Sequence, residues 1–169
     1  MISLDSILVA TDFGDASDAA LRYGRELARR FGATLHVLHV AENVAIATLG
    51  AETFAAVAPE LQEEIETNAL RALEEALIDS DLSGPMTRPV VVTSSSPAFA
   101  IVDYARDHDI NLIVMGTNGR GALEHFLMGS VAERVVRLAG CPVLTVRSHE
   151  REFVRTDALV TLTPAEASS

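Results

Sequence analysis

The chain has no lysine: all 13 of its basic residues are arginine. A Walker-type phosphate loop needs a lysine on the β- and γ-phosphates, so that reading is excluded, together with Schiff-base chemistry and a lysine general base. Cysteine occurs once, at Cys141, so no internal disulfide can form and a reducing compartment is expected. Long apolar runs are missing too. The first, Ile7 to Ala10, falls far short of the roughly 20 residues of a membrane helix. No basic segment precedes it, so a signal peptide is not expected either. The expectation is a cytoplasmic protein with no membrane partner. Positive charge is scarce: 24 acidic residues against 13 basic ones leave a net charge of -11 and a pI near 4.8. Such a balance argues against a nucleic-acid partner held through its phosphates.

What is present suits one domain. A chain of 169 residues can bury a core without disulfides or metals. Ser6 to Ala10 is a continuous apolar run of the kind found in a central parallel strand, with Thr11 and Asp12 at its carboxyl end. Asp15 or Ser17 is expected to cap a helix that runs through Phe31 and stops at Gly32. Ala33 to Ala41 reads as the second strand. From Glu42 to Pro59 the pattern is lost, as in a long connection, and such loops are often functional. Glu60 to Ile78 is amphipathic, with Leu61, Ile65, Ala69, Leu73 and Leu77 at helical spacing and glutamates on a solvated face. Ser80 to Pro89 reads as a linker and Val90 to Thr93 as the third strand. Ser95, Ser96 and Pro97 then open a helix with a cap and a proline in its first turn.

The richest stretch runs from Asn111 to Cys141. Leu112 to Gly116 reads as a short buried strand ending in glycine, the position where a parallel sheet presents its ligand. Gly116, Gly119 and Gly121 follow, able to take positive φ and to approach a ligand closely. Gly129 then precedes Ser130, which with Glu133 has the spacing of a capping box at the start of a helix. The free N–H groups and the dipole of such a helix favour an anion such as a phosphate. Val143 to Val146 reads as the fifth strand. Strands thus alternate with helices throughout, so the fold class is a doubly wound α/β domain with a five-stranded parallel sheet.

The phrases ILVATDF, LHVLHV, NLIVMGTNGRG, LMGSVAERVV and CPVLTVR, with the spacing of Gly116, Gly119, Gly129 and Ser130, resemble the ATP-binding members of the universal stress protein family. The resemblance covers residues 1–147 as one domain and leaves 148–169 as a tail, disordered or swapped onto a partner. It implies strand order 3-2-1-4-5 and a Rossmann-like fold of the adenine nucleotide alpha hydrolase type. Strands one and four would then lie side by side at the switch point where ligands bind. It also implies ATP, or ADP or AMP, as the ligand, with Mg2+ or Mn2+ on the phosphates. Asp12 would accept a hydrogen bond from the ribose or adenine part, and the Val40 backbone would read the adenine edge. Met115 and Gly116 would line the base and ribose, Gly119 and Arg120 the phosphate loop. Gly129, Ser130 and Val131 would meet the phosphates, with Arg120 as the loop's cation.

Each assignment has a plainer rival. Asp12 can serve only to lead into the helix, and Ser130 only to cap one. His125 has no nucleophile or carboxylate beside it in sequence, and His36 and His39, three apart on a strand, face opposite ways and cannot share a metal. Met115, Met128 and Cys141 fit packing roles. The fifth strand should be a sheet edge too apolar to stay exposed, and the resemblance implies a homodimer through Val143 to Val146. Two functions stay open: a nucleotide-regulated dimeric stress protein with at most slow ATP hydrolysis, or a dimeric interaction protein of the same fold that binds no nucleotide. Neither reading has a dedicated catalytic residue.

Overall fold

The structure, a computed structural model, describes residues 3–44, 58–78, 84–117 and 128–148. Its elements in chain order are β1 (Ser6–Thr11), α1 (Asp15–Phe31), β2 (Thr34–Ala41), α2 (Ala58–Leu77), β3 (Thr87–Thr93), α3 (Pro97–Asp107), β4 (Leu112–Gly116), α4 (Ser130–Leu138) and β5 (Val143–Val146). The five strands form one parallel sheet in the order β3-β2-β1-β4-β5, as expected. Val9 at the centre pairs with Val37 on one side and Val114 on the other.

Strand alternation builds two cores. Ile7, Val9, Leu35, Val37 and Val114 face Ala20 of α1 and Leu73 of α2. Leu8, Ala10, Leu38, Ile113 and Met115 face Ile101 of α3 and Val135 of α4. A strand buried on both faces has no polar side to show, which is why β1 reads as an unbroken apolar run. Among the described residues no helix is long and apolar enough to cross a membrane.

Three local expectations are corrected. The third strand begins at Thr87 rather than Val90, and Pro89 lies inside it. Met86 O and Ser94 N both bond to β2, so Pro89, at odd spacing from each, turns its nitrogen to the open edge, where no N–H is needed. Helix α1 is capped by Gly14, with neither Asp15 nor Ser17 at the cap position. Ser17 acts from inside the first turn, accepting from Gly14 N at 3.0 Å and donating to Gly14 O at 2.8 Å. The Ser130–Glu133 capping box does not form. Helix α4 starts with Ser130 itself after an N-cap at Gly129, and Glu133 instead receives Arg137 at 2.6 Å. The connection expected at 42–59 lies largely outside the described residues, as does the tail beyond Ser148.

Candidate functional site

Strands β1 and β4 are neighbours whose crossovers leave in opposite directions, and at such a switch point the sheet opens a crevice beyond its carboxyl ends. A cavity of about 470 Å³ lies there. Asp12, Val40, Met115, Gly116, Gly129, Ser130 and Val131 all line it, drawn together from four separate stretches of chain. Gly119 and Arg120, together with His125, lie outside the described residues. The cavity is also lined by residues that motif reading missed: Thr11, Ser17, Leu38, His39, Pro97, Ile101, Thr117 and Ala132. Ile101 lies in no motif, and Leu38 lies inside LHVLHV with no role assigned to it. They are findable only as core residues of the face on which α3 packs.

At the β1 end the chain makes a tight turn into α1. Asp12 Oδ1 accepts from Gly14 N at 3.1 Å, and Phe13 takes a left-handed φ of 61°. Its N–H is held by Thr11 Oγ1 at 3.0 Å, and that hydroxyl donates to Ser17 Oγ at 3.1 Å. Ser17 is 3% exposed, so its hydroxyl ties the turn together from within. His39 Nδ1 lies 2.9 Å from the Thr11 carbonyl, and its ring packs on Phe13 with centroids 4.6 Å apart.

Val40 lies one residue past the last pairing of β1 with β2, Thr11 with His39. Ser94 N bonds Ala41 O on the β3 side, so the adjacent Val40 turns its backbone groups the other way, toward β1 and the mouth of the cavity. Leu38, Ile101 and Met115 form an apolar wall beside it.

At the β4 end, Gly129 N donates to Thr117 O at 2.7 Å, which holds the start of α4 against the end of β4. That N–H is spent, so Gly129 offers a ligand its position rather than a donor. The first-turn N–H groups of Ser130, Val131 and Ala132 have no intrahelical acceptor, because the Gly129 carbonyl takes the N–H of Glu133 as the first helical bond. All three residues line the cavity. Of the glycines able to take positive φ, Gly119 and Gly121 lie outside the described residues and Gly116 does not take it; among the described residues the positive-φ glycine is Gly32. Gly116 is required for a different reason, since a Cβ there would lie 2.8 Å from the Ala16 Cβ and 2.9 Å from the Ala16 carbonyl carbon. It lets α1 approach β4.

Other titratable groups lie elsewhere. His36 is buried on the α3 face with Nδ1 2.8 Å from the Tyr104 hydroxyl, and burial, then Arg88 and His108, lower its pKa. Burial raises the Cys141 thiol. Among the described residues no three metal-ligating side chains cluster.

Comparison with known proteins places this architecture. The model of the universal stress protein family matches residues 4–147. A universal stress protein of Methanocaldococcus jannaschii is 32% identical over 146 residues, covering 86% of this chain and 84% of the relative. The universal stress protein YxiE of Bacillus subtilis is 32% identical over 148 residues, covering 85% and 99%. Among solved structures, the universal stress protein UspA from Lactobacillus plantarum superposes with a TM-score of 0.73 at 27% identity, over 87% of this chain and all of its own. Two more distant structures share the fold. One is a universal stress protein in complex with cAMP, with TM-score 0.60, 23% identity and 87% and 99% coverage. The other is the universal stress protein from Archaeoglobus fulgidus in complex with dAMP, with TM-score 0.54, 22% identity and 86% and 99% coverage.

Proposed function

The chain belongs to the universal stress protein family, and we propose that it is an ATP-binding member whose nucleotide occupies the switch-point cavity and regulates a dimeric stress-response function. The observation that carries this reading is the chemistry of the cavity lining. It includes the first-turn N–H groups of Ser130, Val131 and Ala132, which suit phosphate oxygens. It includes the Asp12 carboxylate, which repels phosphate and suits hydroxyl or amino donors. The Leu38, Ile101 and Met115 wall suits a base, with the Val40 backbone beside it. The relatives holding cAMP and dAMP support an adenine nucleotide as the ligand class.

Gly119 and Arg120 complete the phosphate loop in this reading, Arg120 offsetting part of the phosphate charge. A divalent cation, Mg2+ or Mn2+, would arrive on the phosphates rather than in a protein cage. In this reading the Asp12 carboxylate meets the sugar rather than water at a γ-phosphate, so hydrolysis is slow at most. Stress signalling then depends on occupancy of the site rather than on turnover, with 1–147 as the working domain and the protein acting in the cytoplasm.

The test is the nucleotide content of the purified protein, read by denaturing it and separating the supernatant by ion exchange, beside a Ser130→Asp variant. An aspartate in the first turn favours the helix dipole and should leave the nucleotide-free melting temperature unchanged or higher. It also sets a carboxylate against phosphate. Near-stoichiometric adenine nucleotide from wild type, lost in the variant, is the expected result. No nucleotide, and no melting shift with millimolar ATP and magnesium, would overturn the reading in favour of an interaction protein that binds none.

A further inference from the structure

We infer that His39 reads the sugar of the bound nucleotide, acting with Asp12 as a pair of acceptors for the two vicinal ribose hydroxyls, and so makes the site selective for ribonucleotides over deoxyribonucleotides. The inference rests on the nucleotide reading above and goes beyond it to a specificity residue.

His39 is half-buried near the end of β2, paired in register with Thr11, and lines the same cavity as Asp12. Its Nδ1 lies 2.9 Å from the Thr11 carbonyl oxygen. A carbonyl can only accept, so Nδ1 carries the proton, and Nε2 of the neutral ring is left as a lone-pair acceptor. That nitrogen has no partner among the described residues. The ring is also held in place. It packs on Phe13, 4.6 Å between centroids, and Phe13 is itself fixed in a left-handed conformation by its bond to Thr11 Oγ1.

Asp12 is oriented in the same way, its Oδ1 accepting from Gly14 N at 3.1 Å. Strand pairing and a tight turn therefore hold both acceptors on the lining of one cavity. A carboxylate and an imidazole lone pair reject phosphate oxygens, which only accept, and match a ligand part with two adjacent donors. On a nucleotide that part is the ribose diol. A deoxy sugar would leave one desolvated acceptor unpaired, and the loss of such a hydrogen bond is the stronger form of discrimination.

The experiment is titration calorimetry of the full chain with ATP, 2′-deoxyATP and 3′-deoxyATP, on wild type, His39→Leu and His39→Gln. Leucine keeps bulk without an acceptor, whereas glutamine keeps an amide oxygen. Wild type should bind at least one deoxy analogue about tenfold more weakly than ATP. His39→Leu should bind ATP about tenfold more weakly and show no further loss with that same analogue. His39→Gln should recover part of the difference. Equal binding of all three ligands by wild type, or equal weakening of all three in His39→Leu, would overturn the inference and leave His39 as packing for Phe13 while the nucleotide reading stands. Failure of wild type to bind any of them would overturn both.

Discussion

Gly116 lines the cavity and also shapes it from behind. Its missing Cβ admits the first turn of α1, with Ala16 and Ser17 against the end of β4. Two of the crowding atoms, the Ala16 carbonyl carbon at 2.9 Å and Ser17 N at 3.0 Å, are backbone, so no rotamer change relieves the clash. Gly116→Ala is therefore expected to destabilise by about 1–3 kcal/mol, read as a lower urea midpoint at unchanged m-value. The same shift of α1 would disturb the Thr11–Ser17 bond and hence the turn that aims Asp12.

Helix α3 touches the cavity through Pro97 and Ile101 and is held lower down by Tyr104, whose hydroxyl meets His36. His108 stacks on Tyr104, with centroids 3.9 Å apart, and its Nδ1 meets the Tyr104 carbonyl at 3.0 Å. Burial is the largest cause lowering the His36 pKa from 6.5, and the positive charges of Arg88 on β3 and of His108 push it the same way. A histidine whose folded pKa is depressed leaves the folded state binding fewer protons than the unfolded chain once pH falls through about 6.5. Its contribution is complete above that value and declines as pH falls toward the lowered folded pKa. Melting temperature should therefore fall between pH 7.5 and pH 5.5, and by less in His36→Gln, whose side chain does not titrate.

At the scale of the whole molecule, β5 is the edge beside β4, with Val143, Leu144 and Thr145 only half-buried. A bare apolar edge is an aggregation hazard unless a second copy covers it, and the proposed homodimer supplies that cover. Pro142 O accepts from Ile113 N of β4 and Val146 O from Thr117 N just past its end, so Thr145, at odd spacing from each, turns its N–H outward. Thr145→Pro removes an outward donor while sparing the β4 ladder. Sedimentation should show a dimer for wild type and a monomer for the variant, with helix content retained by circular dichroism. A variant that stays dimeric would move the interface elsewhere.

Apolar period, glycine spacing and strand-end position are local properties, so the fold class, the strand order through the resemblance, and seven of the residues that line the cavity could be read from the sequence. It misplaced what depends on partners. Pro89 belongs to a strand because β3 is an edge, and Gly129 rather than Ser130 is the cap because the chain arrives pinned to Thr117. The sequence assigned Thr11, Ser17 and His39 no role at the cavity; only the packing of β1, β2 and α1 brought their polar atoms within hydrogen-bonding distance. Hydrophobic pattern decides which face of an element is buried, whereas the meeting of two distant side chains is decided by tertiary register, and the Thr11–His39 pairing is such a register.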